Sequence, residues 1–152
     1  MIANYAYGFA LLCSGVWFAA AFRYFSFQHK AATKVFVPKS ARQSPLFETM
    51  AALTRFLGGM NSAFALFSIL LLGLWMAGVP LFENPQERGI ILIVLAIAHF
   101  SQFIFNVPIL KNGERQGESY WYVISGPMLF IFVMDAAQTI INLAAGAVQF
   151  VL

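Results

Sequence analysis

Four long apolar runs, each separated from the next by charged residues, constrain this 152-residue chain more than any other feature of its sequence. The runs cover residues 1–22, 56–82, 89–110 and 119–152, and the last contains a single charged residue, Asp135. A hydrocarbon core about 30 Å thick requires roughly 20 apolar residues in an α-helix that rises 1.5 Å per residue. Each run is long enough to cross a bilayer, so the sequence predicts an all-α integral membrane protein with four transmembrane helices.

The composition argues against a water-soluble fold. Hydrophobic residues make up 61% of the chain and charged residues 10%, whereas about 25% of the residues of soluble domains are charged. The length suits one domain, and short connections favour neighbouring helices that run in opposite directions. We therefore expect residues 1–152 to form a single antiparallel up-down bundle, with helices at about residues 2–24, 45–77, 87–110 and 118–150.

Capping and turn residues refine these limits. Ser44 can cap the second helix and Pro45 suits its first position. The pair Gly58–Gly59 permits a bend there or a close approach of another helix. Pro108 lies near the end of the third predicted helix, and Gly126–Pro127 lies inside the fourth, where a kink is expected.

The basic residues predict which side of the membrane each loop occupies. Short cytoplasmic loops carry an excess of Lys and Arg. The first connection and its flanks hold Arg23, Lys30, Lys34, Lys39 and Arg42, and the third holds Lys111 and Arg115. The second connection holds only Arg88. We expect both termini outside and loops 1 and 3 in the cytoplasm. Because the basic residues flank apolar spans and form no continuous stripe, we predict no nucleic-acid partner.

Polar side chains on the third and fourth helices predict a buried polar core. An ionisable group at the bilayer centre costs about 2.5–3.5 kcal/mol, so it usually faces the bundle interior and has a partner. On each helix the polar residues recur at steps of three or four and share one face: His99, Gln102 and Asn106 on one, Asp135, Gln138 and Asn142 on the other.

His99 and Asp135 are predicted to meet, because counting from the loop between the two helices places them within about 6 Å of the same depth. Two interpretations are open. The group can serve as hydrogen bonds that hold helices together, or it can handle protons or bind a ligand, since histidine changes its charge near neutral pH.

A second polar group is predicted toward the cytoplasmic side. Arg23 ends the first helix and Glu48 opens the second, so a salt bridge between them is plausible. Arg55, Asn61 and Asn106 fall near the same level, and Tyr120 lies on the rim with Lys111 and Arg115. Together these residues can line a cleft for an anionic headgroup or a charged cosubstrate, and their alternative role is phospholipid anchoring.

The sequence identifies no catalytic residue and no cofactor. No span contains two histidines for a haem, and His29 lies in a loop. There is no Cys and His cluster for a metal and no Gly-rich phosphate loop. The single cysteine, Cys13, lies in an apolar run and is interpreted as a packing residue.

Two of three functional hypotheses follow from the residues themselves. The favoured one is a non-catalytic accessory subunit, or a bundle that binds lipid or another hydrophobic ligand, because bulky apolar faces and 17 phenylalanines suit contact with lipids and other helices. Its partners are membrane lipids, and either other membrane subunits or further copies of this chain. The least favoured is a proton-coupled transporter or channel, which would need an oligomer with His99 and Asp135 lining a pore.

The third hypothesis is a small membrane enzyme. In length, helix count, long first loop and outside termini, the chain resembles the membrane-associated eicosanoid and glutathione metabolism family. This resemblance implies a lipophilic substrate from the bilayer and a polar cosubstrate at the cytoplasmic face. Glu48, Arg55 and Asn61 depart in order and spacing from the family's Arg, Asn and Glu, so no residue role is transferred.

Overall fold

The computed structural model describes residues 1–112 and 121–151, and within these ranges it is helical with no strand. Six α-helices follow one another along the chain: α1 Ile2–Phe22, α2 His29–Phe36, α3 Leu46–Met76, α4 Pro85–Ile104, α5 Val107–Lys111 and α6 Gly126–Val151. A π-helical turn, Arg23–Phe27, extends α1, and a 3₁₀ turn, Lys39–Gln43, precedes α3.

Four helical segments in the described part of the chain are long and apolar enough to cross a membrane. They contain 26 to 31 residues each: Ile2–Phe27, Leu46–Met76, Pro85–Lys111 and Gly126–Val151. The prediction of an all-helical chain with four such segments is confirmed at this level.

Local chemistry explains two helix starts. The Ser44 hydroxyl accepts a hydrogen bond from the Leu46 amide at 3.3 Å, and Pro45 already has helical dihedral angles. At the start of α4, the Asn84 side chain accepts from the Gln86 amide at 2.9 Å and Pro85 occupies the first turn. These are the positions that side-chain caps and proline prefer.

The sequence analysis placed Pro108 and Gly126–Pro127 inside helices, but in the structure each lies at a helix boundary. The third predicted helix stops at Ile104, and Pro108 lies in the first turn of the short α5. Pro108 has no N–H, and its ring would collide with the carbonyl of Ile104, four residues earlier, in a continuous helix. The fourth helix begins at Gly126, which has a φ of +58°, so Gly126–Pro127 is a helix start and not a kink.

The predicted start of the fourth helix at residue 118 lies outside the described residues, and residues 121–125 are not helical. In contrast, α3 continues uninterrupted through Gly58–Gly59.

Helix α1 packs against α3 and α6, and α4 packs against α6. Glycine permits the closest approaches. A Cβ placed on Gly8 would lie 2.6 Å from the Trp75 ring, and one on Gly15 would lie 3.2 Å from Ile69.

The exterior is apolar and much of the interior is polar. Large side chains such as Phe56 and Phe130 are more than half exposed, whereas Ser14, His99 and Asn142 are completely buried. Apolar side chains on the outside suit hydrocarbon, not water. The buried polar residues therefore concentrate any polar chemistry inside the bundle.

Candidate functional site

His99 of α4 and Asp135 of α6 form a buried pair at the centre of the polar interior. Both side chains are fully inaccessible, and His99 Nδ1 lies 3.7 Å from Asp135 Oδ1. The structure thus brings together the two ionisable residues that the polar pattern of the sequence singled out. Their separation is too long for a direct hydrogen bond, so the two groups are close neighbours without a hydrogen bond between them.

Helix α1 completes this site, and the sequence analysis missed its contribution. The Trp17 indole Nε1–H donates to Asp135 Oδ1 at 2.8 Å. His99 Nε2 lies 3.3 Å from the Ser14 hydroxyl, and the His99 ring stacks on Phe18 with centroids 4.3 Å apart. Ser14, Trp17 and Phe18 follow the three-and-four spacing of one helix face, which is the signal that could have identified them.

The polar face of α6 continues beyond Asp135. Asn142 Nδ2 donates to the Ser14 hydroxyl at 2.9 Å, and Gln138 Nε2 donates to the Cys13 carbonyl at 3.3 Å. Near the end of the helix, Gln149 Nε2 donates to the Ala3 carbonyl at 2.6 Å. These bonds attach α6 to α1 along most of its length, which is a structural role that buried amides have in helical membrane proteins.

Several buried polar atoms of α4 and α6 have no hydrogen-bond partner among the described residues. They are His99 Nδ1, Asp135 Oδ2, Gln138 Oε1, Asn142 Oδ1 and Gln149 Oε1. An unsatisfied buried polar atom costs about 1–3 kcal/mol, and more if it is charged. The second carboxylate oxygen of Asp135 is the most costly of these when it carries charge.

Asp135 also lines a cavity of about 150 Å³, which we call the inner cavity. Its lining combines aromatic, aliphatic and polar side chains: Phe25, Phe36, Leu57, Gln102, Asn106, Trp121, Met128, Ile131 and Asp135. Gln102 and Asn106, which were predicted for the polar core, lie here, one to two helical turns from His99 along the chain. The Trp121 indole N–H donates to Asn106 Oδ1 at 2.9 Å. Trp121, which precedes α6, is therefore part of the cavity wall.

A larger cavity of about 310 Å³ lies between α1 and α6, and we call it the outer cavity. Its lining is almost entirely apolar: Trp17, Ala20, Ala21, Tyr24, Phe25, Pro127, Phe130 and Ile131. Phe25 and Ile131 line both cavities. Trp17 lines the outer cavity and also donates to Asp135, so the two cavities are neighbours beside the buried carboxyl group.

The second predicted group does not form the ion pair expected of it. Glu48 pairs with Lys30 at 2.8 Å, and both side chains are more than half exposed. The predicted salt bridge between Arg23 and Glu48 is therefore wrong, because Glu48 pairs with Lys30. The π-helical turn and α2 follow α1, and they bring Lys30 to the start of α3.

The remaining residues of that group lie on different surfaces. Arg55 is exposed and lines an open groove of about 670 Å³ beside Ser26. Asn61 is buried and donates to the Leu57 carbonyl within its own helix at 2.8 Å. Tyr120 lies outside the described residues. Arg55 and Asn61 thus do not meet in one cleft.

Within residues 1–112 and 121–151, no three His, Cys, Asp or Glu side chains are grouped as a metal site requires. Comparisons of the chain with protein-family models, with curated proteins and with solved structures find no match.

Proposed function

We propose that this chain is a multi-pass membrane protein, folded as an up-down four-helix bundle, that binds a lipophilic ligand between α1 and α6. The alternating helix directions are supported by contacts between distant residues. Along α1, Gly8 lies against Trp75 and Gly15 against Ile69. Similarly, Gly89 at the start of α4 lies against Phe150 at the end of α6. Early residues of one helix thus lie against late residues of the other, both for α1 with α3 and for α4 with α6, as in antiparallel helices.

The outer cavity is the observation that carries the proposed function. Its volume of about 310 Å³ lies at the lower end of the range for ligand sites, roughly 300–1,000 Å³. Its apolar lining lies on two helices that we place in the bilayer, so a hydrophobic molecule can reach it from the lipid. The neighbouring inner cavity supplies the few polar groups that orient a ligand in such sites.

Binding is favoured over the enzyme hypothesis for a specific reason. The polar cosubstrate of that hypothesis needs a cleft that contains Arg55 and Asn61. One of these side chains is exposed and the other is buried in contact with its own helix. The residues predicted to hold a cosubstrate are therefore not assembled.

The binding site is tested by filling the outer cavity. Replacement of Ile131 by tryptophan adds bulk to the wall shared by the two cavities, whereas Ile140→Trp makes the same change at an exposed position of α6. We expect native mass spectrometry from a mild detergent to detect a bound lipophile on the wild type and on Ile140→Trp, with at least a fivefold loss on Ile131→Trp (about 1 kcal/mol). Equal occupancy of both variants would contradict the site, and the same spectra report the oligomeric state and any bound subunit.

We also propose that loops 1 and 3 face the cytoplasm and both termini face outward, because Lys and Arg concentrate in those loops. In a Cys13→Ala background, we expect Glu83→Cys, in the second loop, to react with a membrane-impermeant maleimide on intact cells. Lys39→Cys, in the first loop, should react only after permeabilisation. The reverse pattern would show that the orientation is wrong.

A further inference from the structure

We propose that the ligand is a lipophilic amine or quaternary ammonium compound, whose cationic group lies in the inner cavity against Asp135. Its apolar part would then occupy the outer cavity. This assignment rests on the proposed function and adds the chemical class of the ligand to it.

The charge of the inner cavity is the first argument. Asp135 is the only Asp, Glu, Lys, Arg or His among the described residues that line it. Its Oδ1 accepts from Trp17 and lies 3.7 Å from His99, while its Oδ2 has no partner in the described part of the chain. A buried carboxylate is stable only when it is paired and hydrogen-bonded. A cationic group in the cavity would lie beside this carboxylate and offset its charge.

The aromatic wall is the second argument. Phe25, Phe36 and Trp121 line the cavity and contact one another in sequence, with ring centroids 6.2 Å and 5.4 Å apart. Aromatic faces attract ammonium groups, and the attraction strengthens where water is excluded. Combined with one carboxylate, such a wall favours an organic cation over an alcohol and disfavours an anion.

The size of the inner cavity and its position beside the outer cavity are the third argument. A cavity of about 150 Å³ can hold a group as large as benzene, with about six non-hydrogen atoms, so a trimethylammonium group or a primary amine with its first carbons fits. Phe25 and Ile131 border both cavities. The two cavities are therefore neighbours, and the proposal places the chain attached to the cation in the outer cavity, which has almost no polar lining.

Three probes with the same dodecyl chain test the proposal: dodecyltrimethylammonium, dodecanol and dodecanoate. Affinities are measured from thermal stabilisation of the purified protein in dodecyl maltoside, with each probe below its micelle-forming concentration. We expect the ammonium probe to bind the wild type about 30-fold or more tightly than dodecanol, and dodecanoate to bind most weakly. Asp135→Asn should abolish this preference, whereas Glu87→Gln, which removes an exposed carboxylate elsewhere, should retain it.

A second variant keeps the test decisive if Asp135→Asn folds poorly. Phe36→Leu retains every charge but removes one aromatic ring, and we expect it to weaken ammonium binding about threefold or more while leaving dodecanol binding unchanged. If the three probes bind equally well, the amine class is wrong and the lipophilic site stands. If none binds and Ile131→Trp also leaves the copurified lipophile in place, the proposed function is wrong as well.

Discussion

Replacing Gly58 with alanine should lower the free energy of unfolding by about 2–4 kcal/mol, whereas the same change at Gly59 should leave it unchanged or raise it by up to about 1 kcal/mol. The two glycines are neighbours within α3 but face different surroundings. A Cβ on Gly58 would lie 2.6 Å from the backbone nitrogen of Ser26 and 3.0 Å from the backbone carbon of Phe25, and it would also collide with the Ser26 hydroxyl. No atom lies within 4 Å of the corresponding position on Gly59.

The clash at Gly58 is costly because it involves backbone atoms, which cannot rotate away as a side chain can. Relief requires α3 to move away from the π-helical turn after α1. At Gly59 the new methyl group meets open space, so the higher helix propensity of alanine dominates. Unfolding in mixed micelles of dodecyl maltoside and dodecyl sulfate, followed by circular dichroism, measures both effects. Equal stabilities of the two variants would refute the close approach of α3 to the turn.

The substitution also has a functional consequence, because Phe25 lines both cavities. A shift of the turn that contains Phe25 would change the shape of both cavities. Gly58→Ala should therefore release the copurified lipophile, whereas Gly59→Ala should retain it. Native mass spectrometry on the same two proteins provides this second measurement.

The number of long apolar helices was predictable because charged residues separate the four apolar runs from one another. The polar faces of α4 and α6 were also predictable, since His99, Asp135 and Asn142 follow helical spacing. The residues of α1 were not found, because a serine and a tryptophan in an apolar run do not stand out as a histidine or an aspartate does. Which residue donates to Asp135 depends on how α1 packs against α6, and spacing within one helix carries no such information.

Two predictions failed where one helix connects to the next. No charged residue separates residues 119–125 from α6, so hydropathy alone could not detect that the helix begins at Gly126. The expected pairing of Arg23 with Glu48 assumed that the chain leaves α1 directly. Instead, the π-helical turn and α2 follow α1, and Lys30 of α2 pairs with Glu48. Connections between helices depend on short-range geometry that apolar periodicity does not encode.

His99→Ala and Asp135→Asn should destabilise the protein by less together than the sum of their separate effects, with a coupling energy of about 0.5–3 kcal/mol. His99→Ala alone also removes the ring that stacks on Phe18, and a large-to-small change in a core costs about 2–5 kcal/mol. The double-mutant cycle subtracts this packing loss, because it is the same whether residue 135 is Asp or Asn. What remains is the interaction across the 3.7 Å between Nδ1 and Oδ1.

A second cycle provides the control for this coupling. Gln149 lies on α6 fourteen residues after Asp135, about 21 Å along the helix, and it bonds to the Ala3 carbonyl. Gln149→Ala and Asp135→Asn should therefore be additive within about 0.5 kcal/mol. If the His99 cycle is equally additive, the pair does not stabilise the fold, and Asp135 would depend on Trp17 alone among the described side chains. A measured coupling would instead show that His99 stabilises the Asp135 side chain, in addition to the hydrogen bond that Trp17 donates to it.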